Sequence, residues 1–176
     1  IENEETAELD ISESNDNPDP TTLKIEEGDD ESDEYDVFVF EIEEENGVDA
    51  MIEEMEFAIT TTGATEANAI DEVILYQGSE EIGSESGAAT VVFDDLDVEI
   101  DADSTEEFTI AMIFNGTDDA GTTTSVRVDS VTINDAEDEN GNDENEMQID
   151  GSASSETHLL RTVVPIITDV DSSFDR

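Results

Sequence analysis

Residues 107–114 read Glu-Phe-Thr-Ile-Ala-Met-Ile-Phe, and this stretch decides the fold. Phe108, Ile110, Met112 and Phe114 fall at every second position. A β-strand sends successive side chains to opposite faces, so the spacing lines up four large apolar groups on one face of a pleated strand. Asn115-Gly116 follows at once, a pair that favours tight turns.

The same period recurs on either side. Tyr35 to Ile42 places Phe38, Phe40 and Ile42 on one face and Val37 and Val39 on the other, as in a central strand covered on both sides. Met55, Phe57 and Ile59 alternate and run into Thr60-Thr61-Thr62-Gly63. Met51 to Phe57 can be drawn as a helical turn, but the threonines beyond it favour a strand. Further strands are expected at Thr21–Glu26, Val73–Gln77, around Ile82, and at Thr90–Phe93, Asp97–Ile100, Ser125–Asn134 and His158–Ile167. Residues 135–150 read as the most acidic loop, with Met147 and Ile149 forming an edge or flap. No long segment keeps a helical period. The chain is therefore expected to be all-β, an immunoglobulin-like β-sandwich of about nine or ten strands with an N-terminal strand-like arm. Residues 1–20 are assigned to that arm, 21–168 to the sandwich and 169–176 to a C-terminal tail or linker.

Charge sets the surroundings. There are 53 acidic residues against four basic ones, a formal net charge of -49. Such a surface repels itself unless salt screens it or divalent cations bind it. Nucleic acid is excluded as a partner because its phosphates would be repelled. An anionic membrane surface is disfavoured for the same reason, and no run approaches the roughly 20 apolar residues of a membrane helix. Cysteine is absent, so disulfide and thiolate chemistry are too. The chain starts at Ile1 rather than Met, which we read as the expectation of a processed, secreted protein.

Four segments carry a resemblance: Asn17-Pro18-Asp19-Pro20-Thr21-Thr22-Leu23; Asp71-Glu72-Val73-Ile74-Leu75-Tyr76-Gln77-Gly78; Val92 to Thr105, with Phe93, Leu96, Ile100, Ala102, Ser104 and Thr105 in fixed spacing; and His158-Leu159-Leu160-Arg161-Thr162-Val163-Val164-Pro165. In this order they resemble Ig-like repeat modules of large surface proteins from bacteria of the candidate phyla radiation. The strong acidity leaves a halophilic archaeal origin open. The resemblance covers roughly residues 17–168. It implies surface layers, surface fibres or adhesive stalks at the cell surface, and it carries over no catalytic residue.

Catalytic chemistry finds little support. The one histidine, His158, opens an expected strand and reads as a surface strand residue. Carboxylate pairs mean nothing in a chain this acidic, and with no Trp and two Tyr there is little aromatic platform for a sugar. We expect no enzyme and no required cofactor. Calcium is the one candidate ion, and its best site is Asp138, Asn140, Asn142, Asp143 and Glu144. The spacing departs from an EF-hand loop, because Asp143 stands where glycine is needed and Ile149 where glutamate is needed. Asn115-Gly116-Thr117 is an N-glycosylation sequon on an expected turn. Lys24, the single lysine, alternates with Leu23 and Ile25 and should face outward, away from any core isopeptide crosslink.

The two ends suggest assembly. Ala7, Leu9 and Ile11 form a strand-like arm, and Val163, Val164, Ile166 and Ile167 form an apolar run interrupted by Pro165. Sheet edges are natural templates for another chain, and head-to-tail contacts that do not close give filaments. The expected function is a non-enzymatic structural subunit of an extracellular fibre or surface layer, polymerising with copies of itself by strand pairing. The alternatives are a calcium-stiffened stalk repeat of a cell-surface adhesin, a carbohydrate-binding module or enzyme, and an intracellular protein of a salt-accumulating halophile.

Overall fold

The structure, a computed structural model, describes residues 5–120 and 124–163. Within them lie twelve strands: β1 (Glu8–Glu13), β2 (Thr22–Lys24), β3 (Tyr35–Glu44), β4 (Ala50–Thr62), β5 (Ile70–Gln77), β6 (Glu80–Ser86), β7 (Thr90–Phe93), β8 (Val98–Ile100), β9 (Thr105–Phe114), β10 (Ser125–Asp138), β11 (Gln148–Gly151) and β12 (His158–Arg161). Two single helical turns, α1 (Glu66–Ala69) and α2 (Thr117–Ala120), sit in connections. The first sheet has the order β11-β1-β3-β9-β5-β6. The second has the order β2-β12-β10-β4-β7, with β8 also paired to β4. The fold is a two-layer all-β sandwich.

Alternation builds the core. Phe38, Phe40 and Ile42 of β3 and Phe108, Ile110, Met112 and Phe114 of β9 are buried against Met55, Phe57 and Ile59 of β4. Phe40 is the junction. Its ring stacks on Phe38 and Phe108 at centroid separations of 5.1 and 5.3 Å, and it meets Phe57 of the other sheet edge-on at 5.7 Å. Such pairs add about 0.5–1.5 kcal/mol each beyond the area they bury. Val37 and Val39 are buried too, so β3 is covered on both sides over 37–40.

Several expectations change in detail. The stretch that could be drawn as a helical turn is strand: Ala50 and Ile52, then Met55, Phe57 and Ile59, are buried at two-residue spacing, with one shift of parity at Glu53-Glu54 where the pairing with β10 is irregular. β10 runs on to Asp138, four residues into the expected acidic loop, by pairing with β4 down to Ala50. The expected arm at 1–20 does not stand apart: Glu8–Glu13 is β1, an interior strand of its own chain's first sheet. Its alternating apolar residues complete the core, so the sandwich begins at β1 and not at residue 21. His158 is likewise not a surface residue. It is fully buried, and its Nε2–H donates to the Val37 carbonyl at 2.9 Å, tying β12 to β3 across the sandwich, while Nδ1 has no partner.

Phe40→Ala should lose about 3–5 kcal/mol, the usual consequence of truncating a fully buried phenylalanine. Urea unfolding at fixed high salt checks this, with Asp10→Ala, on the outer face, expected to stay within about 0.5 kcal/mol of wild type.

Candidate functional site

The site with the most specific construction is the slot that holds β1. β1 lies between β3, antiparallel, and β11, parallel. Ala7, Leu9 and Ile11 point inward and are buried, with Ala7 and Leu9 fully so. The three residues expected to mediate assembly therefore fill the core of their own chain. At the far end of the strand Gly151 of β11 allows close approach. A Cβ there would lie 2.2 Å from the Ile11 carbonyl oxygen, and its φ of 82° suits glycine alone.

Two buried carboxylates latch the start of β1. Glu44, at the end of β3, accepts from Glu8 N (3.3 Å) and Asn46 N (3.0 Å) through Oε1, and from Gly47 N (2.8 Å) and Asp103 N (3.0 Å) through Oε2. Asp138, at the end of β10, accepts from Ala7 N at 3.1 Å through Oδ2. Its Oδ1 takes the backbone N–H groups of Asn140 and Asn142, both at 2.9 Å, and the Asn142 side-chain amide lies 3.0 and 2.9 Å from the two oxygens. Consecutive N–H groups of the chain, at residues 7 and 8, are thus held by two different carboxylates.

Burial pushes both carboxyls up, but the hydrogen bonds outweigh it. Glu44 is held below the ordinary glutamate value by the N–H groups of Asp103, Asn46, Glu8 and Gly47. Asp138 is held below the ordinary aspartate value by Asn142, Ala7 and Asn140. On the outer face the situation is reversed. The exposed Glu45 is pushed up by desolvation and by the neighbouring carboxylates of Asp10, Glu43, Glu8 and Asp150. In register, Asp10 faces Glu43 on one side and Asp150 on the other. Like charges directly opposite destabilise a strand pair. β1 is held from inside and from its end, and repelled on its outer face.

The five residues expected to hold calcium all take part in hydrogen bonds of the chain itself. Asp138 is turned inward and both its oxygens are engaged by the chain's own donors. Asn142 gives its amide to Asp138, Asn140 gives its amide to the Glu5 carbonyl, and Asp143 and Glu144 accept from Asn145. The loop is a hydrogen-bonded turn with Asp138 at its hub. Among the described residues no group of three or more His, Cys, Asp or Glu side chains is placed to hold an ion.

Asn115 is half-buried, its amide donating to the Asn68 carbonyl at 3.3 Å. Gly116 beside it is packed so that a Cβ would lie 2.3 Å from the Gly28 carbonyl oxygen. Lys24 is exposed and paired with Glu26. Val163 is 73% exposed, while Val164, Ile166 and Ile167 lie outside the described residues.

Glu44 was not singled out from sequence, although the signal was present. It continues the even-numbered inward series of Phe38, Phe40 and Ile42, and Asn46-Gly47 marks a turn where N–H groups converge.

Glu44→Gln and Asp138→Asn should each lower stability near neutral pH by about 1–3 kcal/mol, because an amide puts an NH₂ donor against N–H donors. Both native carboxyls titrate below their unfolded values. Their stabilisation is therefore complete above about pH 5 and lost as pH falls through the lower folded values. The gap between wild type and each variant should close on acidification below about pH 4. Urea melts at matched ionic strength measure it, and a gap that persists in acid assigns the loss to something other than carboxylate charge.

No family model matches the chain, and no curated protein sequence matches it. Two solved structures show a loose likeness. The sporulation control protein Spo0M from Bacillus subtilis is 10% identical with a TM-score of 0.32, over 89% of this chain and 49% of that one, so the chain spans about half its length. The GH31 CBM32-2 module bound to GalNAc is 15% identical with a TM-score of 0.30, over 64% of this chain and 99% of that module. At such scores neither likeness carries an argument about this protein.

Proposed function

We propose that the protein is a non-enzymatic structural subunit of an extracellular polymer, and that copies join by exchanging β1. The observation that carries this reading is the construction of the β1 slot. The strand fills an interior position of a sheet, and the segment 14–21 links it to the remaining described residues.

Exchange of an identical element keeps every contact. A β1 from a neighbour would bury the same Ala7, Leu9 and Ile11, pair with the same β3 and β11, and meet the same Glu44 and Asp138. The difference between self-filled and neighbour-filled slots then rests on the tether and on crowding of the outer carboxylates. Pro18 and Pro20 stiffen the tether, which suits an extended connection between two bodies. Asn17 and Ser14 dock it on the closed form, through Val39 N to Asn17 Oδ1 at 3.1 Å and Ser14 Oγ to Glu107 at 2.7 Å. The free borders of the first sheet suit addition poorly by comparison. β6 carries Glu80, Glu81 and Glu85, and β11 is four residues long. The resemblance to Ig-like surface modules and the acidic coat agree with a place at the cell surface, in screening salt.

Asp10 of β1 and Glu43 of β3 are register partners in an otherwise cysteine-free chain. Antiparallel partners lie about 4.5–5.5 Å apart at Cα, within reach of a disulfide. Asp10→Cys/Glu43→Cys protein, concentrated and then oxidised, should give a ladder of covalent multimers on a denaturing non-reducing gel. Crosslinked monomer alone overturns strand exchange.

A further inference from the structure

Three of the four basic residues, Lys24, Arg127 and Arg161, lie on neighbouring strands of the second sheet; the fourth, Arg176, is outside the described residues. Arg161 of β12 and Lys24 of β2 are register partners, so they share a face. Leu159, two residues before Arg161, is 43% exposed on that face and sits opposite Ser125 of β10, with Arg127 two residues further along. His158 and Leu160 point the other way, into the core, which fixes these four side chains outward. Lys24 pairs with Glu26, and Arg127 lies 3.5 Å from Asp129. Arg161 has no carboxylate within 4 Å among the described residues and donates only to the Thr124 and Leu160 carbonyls.

The other end of the same sheet is the opposite in charge. Arg127 is level with Thr60 of β4, and six residues back along that strand Glu54 is level with Asp135. At about 3.3 Å per residue the two ends are about 20 Å apart. There Glu53, Glu54, Asp94, Asp95, Asp97 and Asp135 line one open concavity. The outer face of the second sheet is therefore electrically polar along its strands.

We propose that the Lys24/Arg127/Arg161 face, with Leu159 at its centre, is the docking surface for the acidic concavity of a second copy of this chain. The reason is charge complementarity. With 53 acidic residues in the chain, contact between two acidic surfaces brings carboxylate against carboxylate, which costs several kcal/mol when groups are juxtaposed at an interface. Among the described residues, this face holds the three cations that a sister molecule's carboxylates could meet. Because the two complementary regions differ and lie at opposite ends of one sheet, the contact is heterologous and repeats head to tail. The inference rests on the reading that copies of this chain contact one another, but not on β1 exchange.

A charge swap tests it. Arg127→Glu/Arg161→Glu removes the cationic end, and Glu54→Lys/Asp94→Lys/Asp135→Lys removes the acidic end. By sedimentation velocity at about 0.15 M ionic strength, where the screening length is about 8 Å, wild type should associate with rising concentration. Each variant alone should associate at least about tenfold more weakly, a difference of about 1.4 kcal/mol. An equimolar mixture of the two should regain association, since each supplies the end the other lacks. Circular dichroism melts establish that both variants fold. Association of either folded variant at wild-type strength overturns the proposal, as does failure of the folded mixture to associate. Wild type that stays monomeric at every concentration, even if an acidic polymer retains it on a column, also overturns it. A covalent ladder from the Asp10/Glu43 cysteines together with indifference to the charge swap leaves strand exchange standing and removes this surface; sensitivity to the swap without a ladder does the reverse.

Discussion

Repulsion between carboxylates is the constraint around which this molecule is organised. Neighbouring strands lie about 4.8 Å apart, so outer-face carboxylates on adjacent strands sit well inside the roughly 8 Å screening length of physiological salt. Near 1 M salt the screening length falls to about 3 Å, shorter than the strand spacing. The sandwich must hold against this on its inner contacts, and it does so by covering the centre of β3 on both sides and by packing Phe40 against three other rings. The first sheet is also where the opposition is sharpest. The same residues that give β1 its register with β3 and β11 place Asp10 between Glu43 and Asp150.

The two latching carboxylates resolve part of that conflict locally. A chain with so much acid gains nothing from one more exposed glutamate, but a carboxylate aimed at four backbone N–H groups does work that no neutral side chain does as well. Glu44 gathers the turn at Asn46-Gly47, the Asp103 amide and the start of β1 into one charge-assisted cluster. Asp138 does the same for its own loop and for Ala7. Sparse lysine and arginine cannot neutralise these groups, so oriented backbone dipoles take that part.

How much of this the residues announce depends on parity. In β3 the inward series Phe38, Phe40, Ile42, Glu44 is unbroken, so the burial of Glu44 follows from counting by twos even though its neighbours Glu41, Glu43 and Glu45 look identical in composition. In β10 the inward series is Val126, Val128, then Val131, Ile133, then Ala136 and Asp138. Irregularities in pairing with β4 at Val128/Ser130 and around Asp135 shift the parity out and back, so Val131 and Ile133 fall off the count from Val126 and nothing local shows that Ala136 and Asp138 return to it. The acidic run from 135 therefore reads as loop when its first four residues are strand. His158 fails for a related reason. With Leu159 and Leu160 adjacent, the sequence offers two possible inward faces, and only pairing with Val126 and the Val37 carbonyl chooses the one that buries the imidazole. β1 was legible as a strand from Ala7, Leu9 and Ile11, but its place between β3 and the distant β11 was not, since such pairing leaves no local mark.

Charge also separates what drives contact between molecules from what gives it direction. Screening by salt weakens repulsion everywhere on the surface and so favours association in no particular orientation. Orientation needs an asymmetry, and the described chain has one: its three cations are gathered on adjacent strands at one end of a sheet whose other end is acidic. Strand exchange lacks this property, because a β1 supplied by any copy makes the same bonds regardless of how the two bodies are tilted beyond the tether. A polar sheet face would fix that tilt, and the stiff Pro18/Pro20 segment would limit how far the donor body can stray from it. The two proposed devices would act on different degrees of freedom, one joining copies and the other aligning them, so that a surface this acidic would accept a neighbour in one pose.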